Sequence, residues 1–207
     1  MDEQKFLEAL KKLRESNKER KFDQTIDLIL NLKEFDLRKN ALNIFIQLPH
    51  KIKDKKIAGF FEKDSSVIKT IRKNDFGKYK EKKDMRRLVK EYDFFIANAK
   101  LMPAIATSFG RVLGPFGKMP SPQLGILLNE DENMIKALVK KINSTVRIRM
   151  KEPSIKIGIG KESLKDEQIL QNIMTSYNKI LENLPKGKDN LRNVKIKLTM
   201  SKPVLVK

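Results

Sequence analysis

The chain has 207 residues, 40% of them apolar and 34% charged, and its 45 lysines and arginines against 26 acids give a net charge of +19. That length fits one ordinary domain or two small ones. The charge points to a polyanionic partner, nucleic acid before an anionic membrane surface, although a basic excess can also serve solubility alone. With no cysteine and a single histidine, His50, the composition excludes disulfides, thiolate metal sites, a cysteine nucleophile and a multi-histidine metal centre.

The opening stretch MDEQKFLEALKKL is acidic and then amphipathic, with Phe6, Leu7, Leu10 and Leu13 at helical spacing. It lacks the apolar run of a signal peptide, and no window approaches the roughly 18 apolar residues of a membrane span. A cytoplasmic location without membrane contact is expected. In DQTIDLILNL the even positions Ile26, Leu28, Leu30 and Leu32 are apolar, and Ile44, Ile46 and Leu48 repeat the alternation. These predict two half-buried strands joined by the charged turn KEFDLRKN, the second closed by Pro49.

The middle reads differently. KIAGFF and DFFIANA are short continuous apolar runs, the pattern of strands buried on both faces of a parallel sheet. KKDMRRLVKEY and NEDENMIKALVKKI predict helices, the latter with Asn129 as cap, three acids in its first turn and lysines at its end. KNDFGKYKEKKDMRR is the most basic stretch and reads as a solvated helix face or loop. Strand and helix alternate over residues 52–144, as in a small α/β unit. Alternation returns in Val146, Ile148 and Met150, then in Ile155, Ile157 and Ile159, with Glu152-Pro153-Ser154 as the turn. Ile169, Ile173, Tyr177, Ile180, Leu181 and Leu184 stripe a clear helix, and Val194, Ile196, Leu198 and Met200 alternate in a last strand. Because a sheet needs partners for its strands, the simplest arrangement is one α+β domain from residues 1–51 plus 145–207. Residues 52–144 then form an inserted α/β domain. The three segments carry +2, +9 and +8 in chain order, so basic charge is spread over both proposed domains.

FGRVLGPFGKMPSP, residues 109–122, is the densest glycine and proline stretch. Read as a phosphate cradle it fails: a P-loop ending in Gly117-Lys118 needs glycine at 112 and a hydroxyl at 119, where the chain has Val112 and Met119. The spacing of a dinucleotide fingerprint is missing too. What remains is a stiff loop that either presses Arg111 and Lys118 against a phosphodiester or another domain, or merely connects. No nucleophile–base pair or metal cluster suggests an enzyme, and nothing reads as a helix-turn-helix or zinc module of a DNA-binding regulator.

The string Gly110-Arg111-x-Leu113-Gly114-Pro115-x-Gly117-Lys118-Met119-Pro120-x-Pro122 resembles the signature of the ribosomal protein L-one family, the stalk protein of the large subunit. RKFDQTIDL near the start, LPH at 48–50, DFFIANAKLMP (similar to the archaeal and eukaryotic branch) and VKIKLTM near the end follow in the family's order. The resemblance covers essentially the whole chain. It implies a two-layer α+β domain from both chain ends and an inserted Rossmann-like α/β domain that binds no dinucleotide. It also implies a non-enzymatic protein without metal or cofactor, located on cytoplasmic ribosomes and monomeric outside them. Its implied partners are large-subunit ribosomal RNA in the mobile stalk near the tRNA exit site, exit-site tRNA whose release it assists, and its own messenger, whose translation it represses. By motif, the RNA contact is carried by Lys21, Phe22 and Thr25 at the first strand and by Thr199, Met200 and Ser201 after the last. Ser201 stands where the family usually has glycine. Gly110, Arg111, Gly114, Pro115, Gly117, Lys118 and Pro120 are implied to form an interdomain lid or hinge with basic residues available to RNA.

Overall fold

The computed structural model describes residues 3–18, 20–38, 40, 42–79 and 81–206; Lys39 of the expected turn and Lys80 of the basic stretch lie outside them. In chain order the elements are α1 (Glu3–Glu15), β1 (Thr25–Leu32), β2 (Asn43–Gln47), β3 (Ile57–Phe60), β4 (Lys69–Ile71), α2 (Lys82–Glu91), β5 (Phe94–Asn98) and α3 (Met102–Phe116). There follow β6 (Ile126–Leu127), α4 (Glu132–Ser144), β7 (Thr145–Arg149), β8 (Ser154–Lys161), α5 (Asp166–Glu182), β9 (Leu191–Leu198) and β10 (Val204–Leu205). The chain is mixed α/β and divides into two units, Met1–Lys53 with Ser144–Lys207, and Asp54–Asn143.

In the first unit the alternation of β1 decides the layer arrangement. Ile26, Leu28 and Leu30 are at most 1% exposed, while Thr25, Asp27, Ile29 and Asn31 on the other face stay half-buried. The apolar face packs with α1 and α5 in one core that includes Phe6, Leu10, Leu13, Ile169, Ile173 and Ile180. The Phe6 and Tyr177 rings meet edge to face at 5.9 Å. β1 is central: it pairs antiparallel with β8 on one side and β9 on the other, in a sheet ordered β10-β9-β1-β8. The two strands expected on either side of KEFDLRKN do not share a sheet, because β2 pairs with β7 instead. For the same reason β7 and β8, flanking Glu152-Pro153-Ser154, belong to different sheets. Asn172, fully buried on α5, ties down the end of the first segment: its Nδ2 donates to the carbonyls of His50 (3.1 Å) and Ile159 (2.8 Å), and its Oδ1 accepts from the His50 N–H (3.0 Å).

The second unit is a parallel sheet ordered β4-β3-β5-β6. Its strands are continuous apolar runs; every residue of β3 is buried. Residues 109–122, read from sequence as a loop, are largely helical. Ile105, Phe109, Val112 and Leu113 form the buried stripe of α3, with Leu101 buried just ahead of it. Pro115 falls in its last turn, where the missing N–H leaves only the Arg111 carbonyl without a helical partner. Gly117 then ends the helix in the left-handed region (φ 68°), with its N–H on Gly114 O (2.9 Å) and the Lys118 N–H on Leu113 O (3.0 Å), a Schellman closure. The Lys118 ammonium donates to the carbonyls of Val89 and Tyr92, both at 2.7 Å, and so sits on the negative end of α2. Its ammonium thus caps α2 from within the second unit. Asn129 does not cap α4 either: the helix begins at Glu132, and the Ile135 N–H bonds Asp131 O at 2.9 Å.

The strand order changes direction between β3 and β5, the switch point at which open α/β sheets receive ligands beyond the carboxyl ends of their strands. Here the crevice holds a carboxylate of the chain itself. Glu130 accepts the Glu62 N–H (2.8 Å) and Asn98 Nδ2 (2.7 Å) on one oxygen, and the Lys63 N–H (2.9 Å) on the other. Residues 61–68 after β3 contain no helix, so no helix N-terminus faces a phosphate. Burial pushes the Glu130 carboxyl up, but the Glu62 N–H, Asn98 and the Lys63 N–H outweigh it and hold the group below the usual carboxylate range. A depressed carboxylate stabilises the fold above its unfolded value, about 4.3 for glutamate, and that contribution disappears as pH falls through the folded value. Glu130→Gln is therefore expected to destabilise by about 1–2 kcal/mol at pH 7. Urea unfolding of both proteins should show this gap closing below about pH 4; a gap independent of pH would contradict the assignment.

Candidate nucleic-acid interface

The residues that precede β1 and follow β9 come together at one end of the four-stranded sheet. Thr199 extends the β1–β9 ladder by one step with its side chain: its Oγ1 accepts the Thr25 N–H at 3.1 Å and donates to the Thr25 carbonyl at 3.3 Å. Its single proton is thus engaged inside the protein, and one lone pair remains for a partner. Beyond it the chain turns sharply. The Ser201 N–H returns to Leu198 O at 3.1 Å, and the Leu198 N–H donates to Ser201 Oγ at 2.9 Å. Ser201 is not in the left-handed region, so the backbone does not require glycine, and its hydroxyl points back into the turn.

This turn rests on a buried polar network. Gln24, fully buried, accepts the Met200 N–H on Oε1 at 3.1 Å. Its Nε2 donates to Asn17 Oδ1 (3.1 Å) and Glu162 Oε2 (3.2 Å), and Asn17 Nδ2 donates to Glu162 Oε1 (2.6 Å). Every polar atom of the Gln24 side chain has a partner, as a buried amide requires. Asp23 adds a second tie, accepting the Ser163 N–H (3.1 Å) and hydroxyl (2.9 Å). Arg14 closes the frame, reaching Asp166 (2.7 Å) and the carbonyls of Glu162 and Leu164.

Two large apolar side chains stand out on this frame. Phe22 is 51% exposed and Met200 60% exposed, whereas five of the chain's eleven phenylalanines are fully buried. Neither belongs to the core, although an apolar residue beside a strand usually does. Lys21 is exposed beside them. Along the sheet, the half-buried face of β1 and β9 carries Asp27 opposite Lys197, with Gly158 of β8 on Asp27's other side. Burial pushes the Asp27 carboxyl above its ordinary value, and the Lys197 ammonium offsets only part of that. A Cβ on Gly158 would lie 3.0 Å from Thr25 Cγ2, so the Thr25 methyl covers Gly158 and a side chain there would crowd it.

The six residues assigned from resemblance to the two ends of the chain, Lys21, Phe22, Thr25, Thr199, Met200 and Ser201, thus lie together. The set from Gly110 to Pro120 belongs to the second unit, on α3 and the residues that follow it. Sequence reading missed Gln24, Asn17 and Glu162, whose types suggest surface. It also missed Asp27, Lys195 and Lys197, although the alternation of β1 and β9 already assigned those three to the outward face. Among the described residues no group of three or more acids or histidines could hold a metal ion, and no helix is long and apolar enough to cross a membrane.

Known proteins resemble this chain over almost all of its length. The profile of the Ribosomal protein L1p/L10e family matches residues 10–202. A protein of Nanoarchaeum equitans named large ribosomal subunit protein uL1 is 39% identical, over 97% of this chain and 98% of its own. Proteins of the same name from Methanocaldococcus jannaschii (37%, over 100% and 97%) and Pyrococcus horikoshii (35%, over 99% and 96%) are similarly close. A match of this extent, on a chain that folds as mixed α/β, places it: the chain belongs to the Ribosomal protein L1p/L10e family.

Proposed function

We propose that this chain is a structural, non-enzymatic constituent of the large ribosomal subunit that binds large-subunit RNA through the end of its four-stranded sheet. The observation that carries the reading is the pair Phe22 and Met200, exposed on a backbone that the fully buried Gln24 holds in place. Two apolar side chains held in water are unfavourable by themselves and gain by covering unstacked bases or a shallow RNA minor groove, where Thr25, Thr199 and neighbouring backbone reach 2′-hydroxyls. Lys21, Lys195 and Lys197 supply phosphate contacts that hold without specifying. Membership of the family and relatives named as large-subunit proteins support the same conclusion.

The reading includes two finer roles: assisting release of deacylated tRNA at the exit site, and repressing translation of its own messenger. The net charge of +19 supports affinity for several RNAs. A surface that reads the shape of a stem and loop also binds a messenger that presents the same shape. A gel-shift assay with the leader of its own messenger tests the second role; no binding above that of an unrelated leader would remove it.

Phe22→Ala with Met200→Ala should weaken binding to a ribosomal stem-loop roughly tenfold or more, with the salt dependence unchanged. Lys21→Ala should instead lower the slope of log affinity against log salt by about 0.7–0.9. Filter binding across a salt series separates the two classes; equal slopes in both variants would contradict the division of labour. Ser201→Gly removes an internal hydrogen bond, so it should reduce stability by about 0.5–1.5 kcal/mol yet leave stem-loop affinity within about twofold. A large gain or loss of affinity would show that the hydroxyl faces RNA.

A further inference from the structure

We propose that the groove between α2 and α3 in the inserted unit is a second, separate RNA site, which takes a short single-stranded segment. It goes beyond the site above, in location and in the form of RNA. Lys82, Met85 and Arg86 recur at helical spacing on α2, and Thr107, Arg111 and Pro115 do so on α3. Together they line a groove of about 430 Å³, within the size range of small-ligand sites.

Three features fix the chemistry of its occupant. Lys82, Arg86 and Arg111 are exposed, no carboxylate lines the groove, and none of the three side chains has a hydrogen bond or ion pair among the described residues. Phe116, at one end, is 48% exposed and offers a flat aromatic surface, with Met85 and Val112 as further apolar lining. Finally, Gly110 and Gly114 lie on the strip of α3 that carries Thr107, Arg111 and Pro115, and a Cβ built on either meets nothing within 4 Å. Two glycines inside a helix weaken it, and here no internal packing requires them; they leave the helix backbone open to close approach from outside. Cations spaced along a groove, beside an aromatic face, match the alternation of phosphate and unstacked base in a single strand. A duplex keeps its base faces covered, and an acidic peptide has no use for the ring.

The test uses the full chain and fluorescein-labelled hexauridylate, read by anisotropy at low salt. Arg111→Ala with Phe116→Ala should weaken binding about tenfold or more and leave affinity for the ribosomal stem-loop unchanged. Gly110→Ala with Gly114→Ala should raise the melting temperature by a few degrees while weakening hexauridylate several-fold, a combination that a purely structural role for the glycines does not produce. Phe22→Ala with Met200→Ala should lower hexauridylate affinity far less than the groove variant does while weakening the stem-loop, so failure of this site is distinguishable from failure of the sheet-end site. Three results would each overturn the proposal: no hexauridylate binding, equal binding by the groove variants, or displacement by hexaglutamate as effective as by unlabelled hexauridylate.

Discussion

Everything in the first unit depends on one pairing: β1 lies between β8 and β9, so the strand made first is held on both edges by strands made last. Antiparallel ladders on both sides leave β1 without a free edge, and its inward residues Ile26, Leu28 and Leu30 sit under two helices at once. Removing one such side chain costs about 2–5 kcal/mol, a large part of the stability of an ordinary domain. The same pairing brings the residues before β1 next to those after β9, and with them Phe22, Thr25, Thr199 and Met200. The chain therefore assembles its candidate RNA surface only when its ends have met, and the central ninety residues (Asp54–Asn143) form a unit of their own.

The sheet end is polar where it is buried and apolar where it is exposed, the reverse of the usual distribution. Gln24, Asn17 and Glu162 satisfy one another inside; Phe22 and Met200 stand outside. A satisfied buried network fixes geometry at little net gain in stability, and fixed geometry is what a shape-reading surface needs. The second unit shows a related economy. At its switch point, where open parallel sheets receive ligands, Glu130 takes the Glu62 and Lys63 N–H groups, so these donors are satisfied from within.

Much of the fold was legible because two-residue and helical periods survive wherever one face is buried. The alternation of β1, β8 and β9, the stripe of α5 and the apolar runs of β3 and β5 all appear in the sequence as they do in the structure. Residues 109–116 were not legible as helix, since glycine and proline outweigh the stripe of Phe109, Val112 and Leu113 when counted locally; the tertiary burial of that stripe decides. Strand partners were equally hidden: a short charged turn suggests a hairpin, but β2 finds its partner a hundred residues away in β7. At the candidate site, Phe22 and Met200 read as core by type, and only the resemblance singled them out. Gln24 carried no signal at all, because nothing in a lone glutamine before a strand says that it will be fully buried.

The central claim is that a rigid, largely neutral sheet end selects the RNA while scattered cations supply grip. Its most direct test is ultraviolet cross-linking of the full chain to large-subunit ribosomal RNA, with the linked peptides identified by mass spectrometry. The account predicts linkage of stem-loop nucleotides to the peptides containing Phe22 and Met200. Stem-loop linkage confined to other peptides, with none at either of these two, would contradict it.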